Sequence, residues 1–387
     1  MKKIVCLLVL VVLAFGSFSQ QKTYRVGIFA PLYLDSVFNG ENLRSGKAIP
    51  KLISPSLDFV QGCMIALDSL AATGEKIEVF TYDTKSYSEP LGSLIDDKKL
   101  DNLDLMIGTV RDQDYKQLAD FAYLKQIPFV SATFPNDGGI TMNPSLAIVS
   151  STLKTHCEAI YNYVLQEHGT DRIFFFKKTG VQEGKVAEYF KEFNEKDGKP
   201  LLKMQVINID SFVSPNYLKK KLDTTHRTVI IAGSLDEDFA RNMAGTCNSL
   251  GSAYKITLIG MPNWSGFKEL YNKDIFNDVS ILYTTPFSYN TKNSFDSLLT
   301  EEYDRLYKIK PSDMAYKGFE NTYFFTSLLL KYPKNLFSHL NEKGFNVFNE
   351  FNFKPVMVKK TNTLTDYYEN KHVYILKIYN GAVTKEW

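Results

Sequence analysis

The chain has 387 residues, a formal net charge of +2, 44% hydrophobic residues and 23% charged ones. These values fall in the ordinary globular range and exclude a disordered, collagenous or disulfide-scaffold chain. At roughly 100–200 residues per domain the length suggests two or three domains. The aromatic content of 14% supplies ring surface for cores and for a ligand cleft.

In chain order, Met1-Lys2-Lys3 precedes an apolar run from Ile4 to Phe15. That run is shorter than the ~20 residues a spanning helix needs. Ser17 and Ser19 then fit the −3 and −1 sites of signal peptidase. Residues 1–19 therefore read as a signal peptide, cleaved before Gln20, that sends the chain to the periplasm or outside the cell; a retained anchor is the alternative. Cys6 has no lipidation site before it. Without Lys2 and Lys3 the basic residues exactly balance the 43 acidic ones, so no global field recruits nucleic acid or an anionic membrane. Cys63, Cys157 and Cys247 remain. This odd, widely spaced set predicts no structural disulfide.

Tyr24–Phe29 reads as a strand. Ser54-Pro55 offers a helix cap and first turn before Leu57, Val60, Met64 and Leu67 at helical spacing. Strands follow at Ile77–Tyr82, Leu103–Ile107 and Ile127–Ala132, alternating with helices at Leu91–Lys99 and Asp112–Leu124. The β-α-β-α order implies a parallel sheet covered by helices. After Asn143–Ser151 the rhythm restarts. It runs through strands Arg172–Phe176, Met204–Ile209, Thr228–Ala232, Ile256–Ile259 and Val279–Thr285, with helices at Leu153–Gln166, Val181–Phe193, Tyr217–Leu222, Glu237–Leu250 and Trp264–Tyr271. Two long helices, Ser294–Tyr307 and Met314–Lys331, precede a tail of strands at Phe351–Val356 and His372–Tyr379, with Asn380-Gly381 as a type I′ turn.

Motifs for enzymatic chemistry are missing. The chain has no P-loop, no G-x-G-x-x-G after the first strand, no G-x-S-x-G elbow, and no metal or calcium signature. His156-Cys157-Glu158 cannot converge on one atom, because consecutive helical positions point about 100° apart. Lys219-Lys220-Lys221 reads as a solvated helix face. The chain is therefore expected not to be an enzyme and to need no cofactor.

Parallel α/β sheets bind ligands at the carboxyl ends of their strands. In the first unit those ends are Pro31-Leu32-Tyr33, Gly108-Thr109-Val110-Arg111 and Ser131-Ala132-Thr133. In the second they are Lys178-Thr179-Gly180, Gly233-Ser234-Leu235-Asp236 and Met261-Pro262-Asn263-Trp264. Hydroxyls and free backbone N–H groups suit a zwitterion or carboxylate, with Arg111 as a bidentate clamp and Asp236 as the receiver of an ammonium. Each Ser or Thr also has the plainer role of capping the next helix.

Ile107-Gly108-Thr109, Leu118 to Ala122, Ile127 to Thr133 and Asn143 to Leu146 together resemble the type I periplasmic binding proteins. They most resemble the leucine/isoleucine/valine-binding branch that serves ABC importers. Val26-Gly27-Ile28, Gly62 to Leu67, Asp83 and Ala315 to Glu320 are further matches. The resemblance implies an α/β fold of two Rossmann-like lobes, parallel sheets flanked by helices, with a ligand held between them. Lobe 1 would take residues 20–150 and 285–350, and lobe 2 residues 151–284 and 351–387. Three hinge strands would lie near Val149–Ser151, Tyr283–Pro286 and Glu350–Lys354. In this family the Ser131-Ala132-Thr133 loop holds the ligand's amino and carboxylate groups, and Thr109 fits a second hydroxyl contact. Arg111 departs from the usual small or hydroxyl residue, and the Phe134–Met142 loop carries Gly138-Gly139. Both departures argue against standard branched-chain specificity.

The expected function is capture of a small polar ligand, an amino acid or short peptide, for an ABC permease by a monomeric protein. Tyr33, Thr109, Arg111, Ser131, Ala132, Thr133, Lys178, Thr179, Ser234, Asp236, Asn263 and Trp264 are the candidate site. The alternative is an envelope protein that keeps the fold for sensing or for activating a cell-wall synthase.

Overall fold

In a computed structural model of the chain the described residues are 22–387, apart from Ser45, Lys47, Ser211, Asn290, Thr291, Lys360 and Asn362. The expected signal peptide and its cleavage site lie outside the described residues. Two seven-stranded sheets organise the chain. The first receives β1 (Tyr24–Ala30), β2 (Ile77–Asp83), β3 (Leu105–Gly108), β4 (Phe129–Ser131) and β5 (Leu146–Ile148). The second receives β6 (Arg172–Lys178), β7 (Met204–Ile209), β8 (Thr228–Ala232), β9 (Ile256–Ile259) and β10 (Ser280–Thr285). The chain then returns to the first sheet for β11 (Phe353–Val356) and β12 (Tyr367–Asn370), and ends in the second with β13 (Tyr374–Tyr379) and β14 (Ala382–Lys385).

Neighbouring strands from β12 through β5, β4, β3 and β1 to β2 are parallel, as are those from β7 through β6, β8 and β9 to β10. Antiparallel strands close one edge of each sheet. Strands buried on both faces must be apolar throughout, and every residue of β3 and β8 is buried. Nine helices flank the sheets: α1 (Ser54–Ala71), α2 (Leu91–Asp96), α3 (Asp112–Lys125), α4 (Leu153–Glu167), α5 (Val181–Asn194), α6 (Pro215–Lys219), α7 (Glu237–Gly251), α8 (Ser294–Tyr307) and α9 (Asp313–Lys331), besides a single turn at Leu34–Val37 among the described residues. The mixed α/β architecture expected from the sequence is the one found.

The helices α1 and α9 cross at two glycines. A Cβ on Gly62 would lie 2.0 Å from the Ala315 carbonyl, and one on Gly318 would lie 2.0 Å from that of Phe59. No side chain fits without moving backbone, which explains both glycines in the sequence. The cap expected at Ser54 is not formed: the helix begins there, Ile53 occupies the cap position, and no side chain caps it. The helix expected over Trp264–Tyr271 is two 3₁₀ turns, Pro262–Gly266 and Lys268–Tyr271. The expected I′ turn is present, with positive φ at both Asn380 and Gly381.

The partition of the tail is corrected. Residues 351–370 were expected in lobe 2, yet β12 pairs with β5 and β11 with β12, placing both in the first sheet. The third crossing accordingly lies at Lys371-His372-Val373, between β12 and β13, and not near Glu350–Lys354. The other two lie between β5 and α4 and beyond the end of β10. Polar side chains tie the first and third together. Glu369, buried on β12, accepts from the Thr152 N–H at 2.8 Å and the Thr155 hydroxyl at 2.7 Å, and pairs with Lys371. The Ser151 hydroxyl donates to the Asn370 carbonyl at 2.6 Å, and the Asn370 side chain accepts from the N–H groups of Asn352 and His372.

Candidate functional site

The strand ends of the first sheet form one wall. Tyr33, just beyond β1, has φ 54°, a left-handed conformation costly for a residue with a Cβ. Asp83 at the end of β2 holds it there: its carboxylate accepts from the N–H groups of Leu32, Tyr33 and Leu34 at 2.9, 3.0 and 2.7 Å. Thr109 follows β3 and Thr133 follows β4, and their hydroxyls lie 2.9 Å apart. Together with Tyr33 and Arg111 they line a cavity of about 630 Å³. Its charges are matched. Lys85 pairs with Asp114 at 2.8 Å, and Arg111 points into solvent with Nε 3.7 Å from Asp112.

Two expectations on this wall, those for Ser131 and Ala132, are corrected. Arg111 lines the cavity with its side chain 80% exposed, beside Asp112, whose φ is positive as α3 begins. Ser131 is fully buried within its sheet, its hydroxyl without a partner, and Ala132 belongs to the core against α1 and α9. Neither borders the cavity that Thr109 and Thr133 line. Of the expected triplet only Thr133 reaches the cavity.

The second wall uses its polar groups internally. Asp236 caps α7, accepting from the Phe239 N–H at 2.7 Å, and its other oxygen meets Lys178 at 3.0 Å. Those two contacts, the backbone N–H first, hold its carboxyl below the usual range. Ser234 is buried and donates to Glu183 at 2.7 Å. Trp264 is fully buried, with Nε1 donating to the Ser234 carbonyl at 3.2 Å. Thr179 is turned to Asp210 at 3.3 Å. Asp236 and Lys178 thus neutralise each other, and Ser234 and Trp264 are buried within their own lobe.

A second cavity, of about 420 Å³, lies at the hinge end and is lined by both lobes. Asn136, Ser150, Phe287 and Lys317 contribute from the first lobe, and Gln182, Leu235, Pro262 and Asn263 from the second. Asn263 is the one expected site residue here. Its amide donates to the Leu235 carbonyl at 2.7 Å, which leaves its buried Oδ1 without a partner. Pro135 lines both cavities, so the segment after Thr133 divides the cleft in two. His156 also lines the hinge-side cavity. Its Nδ1 lies 2.8 Å from the Thr284 hydroxyl, and burial lowers its pKa to about 4, so the ring is neutral at pH 7.

Sequence reasoning missed Gln182, Ser150, Phe287 and Lys317. A lysine inside the otherwise apolar and aromatic start of α9, Met314-Ala315-Tyr316-Lys317-Gly318-Phe319, was the available signal. Cys157 is fully buried, and burial pushes its thiol up to about 12. With His156 turned to Thr284, the two residues form no nucleophile–base pair.

No family model matches the chain, and no curated protein matches its sequence. Solved structures do match its fold. A putative branched-chain amino acid ABC transporter protein from Rhodospirillum rubrum has a TM-score of 0.67 at 12% identity, covering 94% of this chain and all of that one. An ABC transporter substrate-binding protein from Desulfitobacterium hafniense in complex with Leu has a TM-score of 0.56 at 13% identity, with 94% and 100% covered. An ABC transporter solute-binding protein from R. palustris in complex with benzoate has a TM-score of 0.51 at 12% identity, with 94% and 95% covered. The chain has the two-lobed type I periplasmic-binding-protein fold, as the sequence resemblance implied.

Proposed function

We propose that this protein is an exported, monomeric solute-binding protein that closes its lobes on a small polar, amino-acid-like ligand and presents it to an ABC-type permease. The hinge-side cavity carries this reading. Both lobes line it, and a ligand touching both would favour the closed form over the open one. Its volume of about 420 Å³ lies in the range of small-molecule sites. Structures of the same fold are named for bound Leu and benzoate, which fits a small organic solute.

The test pairs thermal unfolding of the chain from Gln20 onward with small-angle scattering, against amino acids, short peptides and aromatic acids. A ligand at about 100 times its dissociation constant stabilises by about 2.7 kcal/mol. The expected result is one such shift accompanied by a smaller radius of gyration. No shift and unchanged scattering across the panel overturn the reading. The envelope-interaction alternative would then lead, on the observation that the second wall commits Ser234, Asp236 and Trp264 to its own lobe.

A further inference from the structure

We infer that the solute carries a carboxylate, or a comparably compact oxyanion, and that this group docks on the Lys317 ammonium at the hinge end of the cleft. The inference rests on the solute-binding reading and names the chemistry of its ligand. Among the residues lining the hinge-side cavity there is no Asp or Glu. His156 is neutral there, so Lys317 is the cavity's fixed charge. A half-buried ammonium ordinarily finds a carboxylate, since leaving water without one is unfavourable. Among the described residues Lys317 has no ion pair, and its Nζ makes no hydrogen bond.

The acidic neighbours on its own helix do not fill that role. Glu320, one turn on, is taken up by the N–H groups of Phe348 and Asn349 at 3.0 and 2.6 Å and by the Asn349 amide at 2.8 Å. Asp313 is exposed at the start of α9 and makes no ion pair with Lys317. Nζ instead stands 4.9 Å from the centre of the Phe287 ring, which fixes its position without neutralising it. Burial holds its pKa below the ordinary lysine value, against the smaller opposing pull of Asp313 and Glu320.

The position also couples charge to closure. Lys317 and Phe287 belong to the first lobe, whereas Gln182 and Asn263 reach the same cavity from the second. In the other cavity each cation has an acidic neighbour: Lys85 is paired with Asp114, and Arg111, 80% exposed, lies 3.7 Å from Asp112.

Matched carboxylates and carboxamides provide the test: L-leucine and L-leucinamide, benzoate and benzamide, succinate and succinamide. Each is titrated calorimetrically, to millimolar concentration, into wild type, Lys317→Met and Lys317→Arg. At least one carboxylate is expected to bind wild type roughly 30-fold or more tightly than its amide, the size of a charge-assisted contact. Lys317→Met should erase that preference and Lys317→Arg should keep part of it. If Lys317→Met does not fold, wild type decides by another route. The binding carboxylate should shield Lys317 from acetylation, read by peptide mass, and its amide should not. Equal binding of acid and amide, or a preference that survives in Lys317→Met, overturns the inference and leaves the solute-binding reading intact. Absence of binding by every compound in both series overturns the inference together with that reading.

Discussion

On the first wall of the cleft the Thr109 and Thr133 hydroxyls face each other across 2.9 Å, while on the second wall Ser234, Asp236 and Trp264 are each tied to groups of their own lobe. Both walls consist of loops at the carboxyl ends of parallel strands, so topology alone does not separate them. The spacing between strand and helix does. After β8 the helix α7 begins at Glu237, and Asp236 is taken as its cap. After β3 the helix α3 begins at Asp112 with no side-chain cap, and Thr109 stays outside it. A strand-end residue remains available to a ligand when the following helix does not need it.

The largest expected effect that could break this contrast comes from Trp264. Its indole is fully buried against Gly260, where a Cβ would lie 2.1 Å from the ring, and it donates to Ser234. Trp264→Ala should cost about 3–5 kcal/mol in urea unfolding, with solute affinity unchanged in whatever remains folded. A loss under about 1 kcal/mol, accompanied by lost binding, would put Trp264 in the cleft and erase the difference between the walls.

His156 sharpens the comparison at the hinge, where a polar residue is both cavity-lining and buried. Its pKa is depressed from 6.5 to about 4, so its contribution is full above pH 6.5 and is lost as pH falls toward 4, where the unfolded chain binds the extra proton. Glu320 acts oppositely: raised to about 7 by burial, it makes the fold more stable as pH falls through the same range. The total pH profile therefore hides both, and a variant is needed to separate them. Wild type should lose about 3 kcal/mol of its advantage over His156→Gln between pH 7 and pH 4. Parallel unfolding curves for the two proteins across that range would show that His156 is not held neutral.

Much of the fold was legible because buried parallel strands are written as short apolar runs. Thr228–Ala232, Ile256–Ile259 and Met204–Ile209 appear in the structure with the bounds read from the sequence. The strand Tyr367–Asn370 was not legible, because it carries Glu369 and Asn370, residues that ordinarily avoid strands. Both are used at the hinge, one on Thr152 and Thr155, the other on the chain beyond it, and nothing local in the sequence announces that use. The site was legible as a set of loops but less so as residues. The strand-end rule locates Ser131, Ser234 and Trp264 along the chain without saying which face each side chain takes, and all three turn inward. Lys317 lies on a helix, outside the rule altogether.

The smallest effects discriminate most finely between the walls. Asp236→Ala removes a helix cap and should lower stability by about 1 kcal/mol, since its contact with the part-exposed Lys178 adds little. Solute affinity should stay within about twofold, because that carboxylate is already committed. Thr133→Val should change neither stability nor affinity by much. Its hydroxyl supports no helix and meets only the Thr109 hydroxyl, so stability should change by no more than about 0.5 kcal/mol. Affinity for the solute identified in the calorimetric series should also stay within about twofold, because Thr133 lines the other cavity, across Pro135 from Lys317. If Thr133→Val loses affinity, the solute sits between Thr109 and Thr133 and not in the hinge-side cavity; if Asp236→Ala loses it, the Lys178–Asp236 pair must open to receive the ligand.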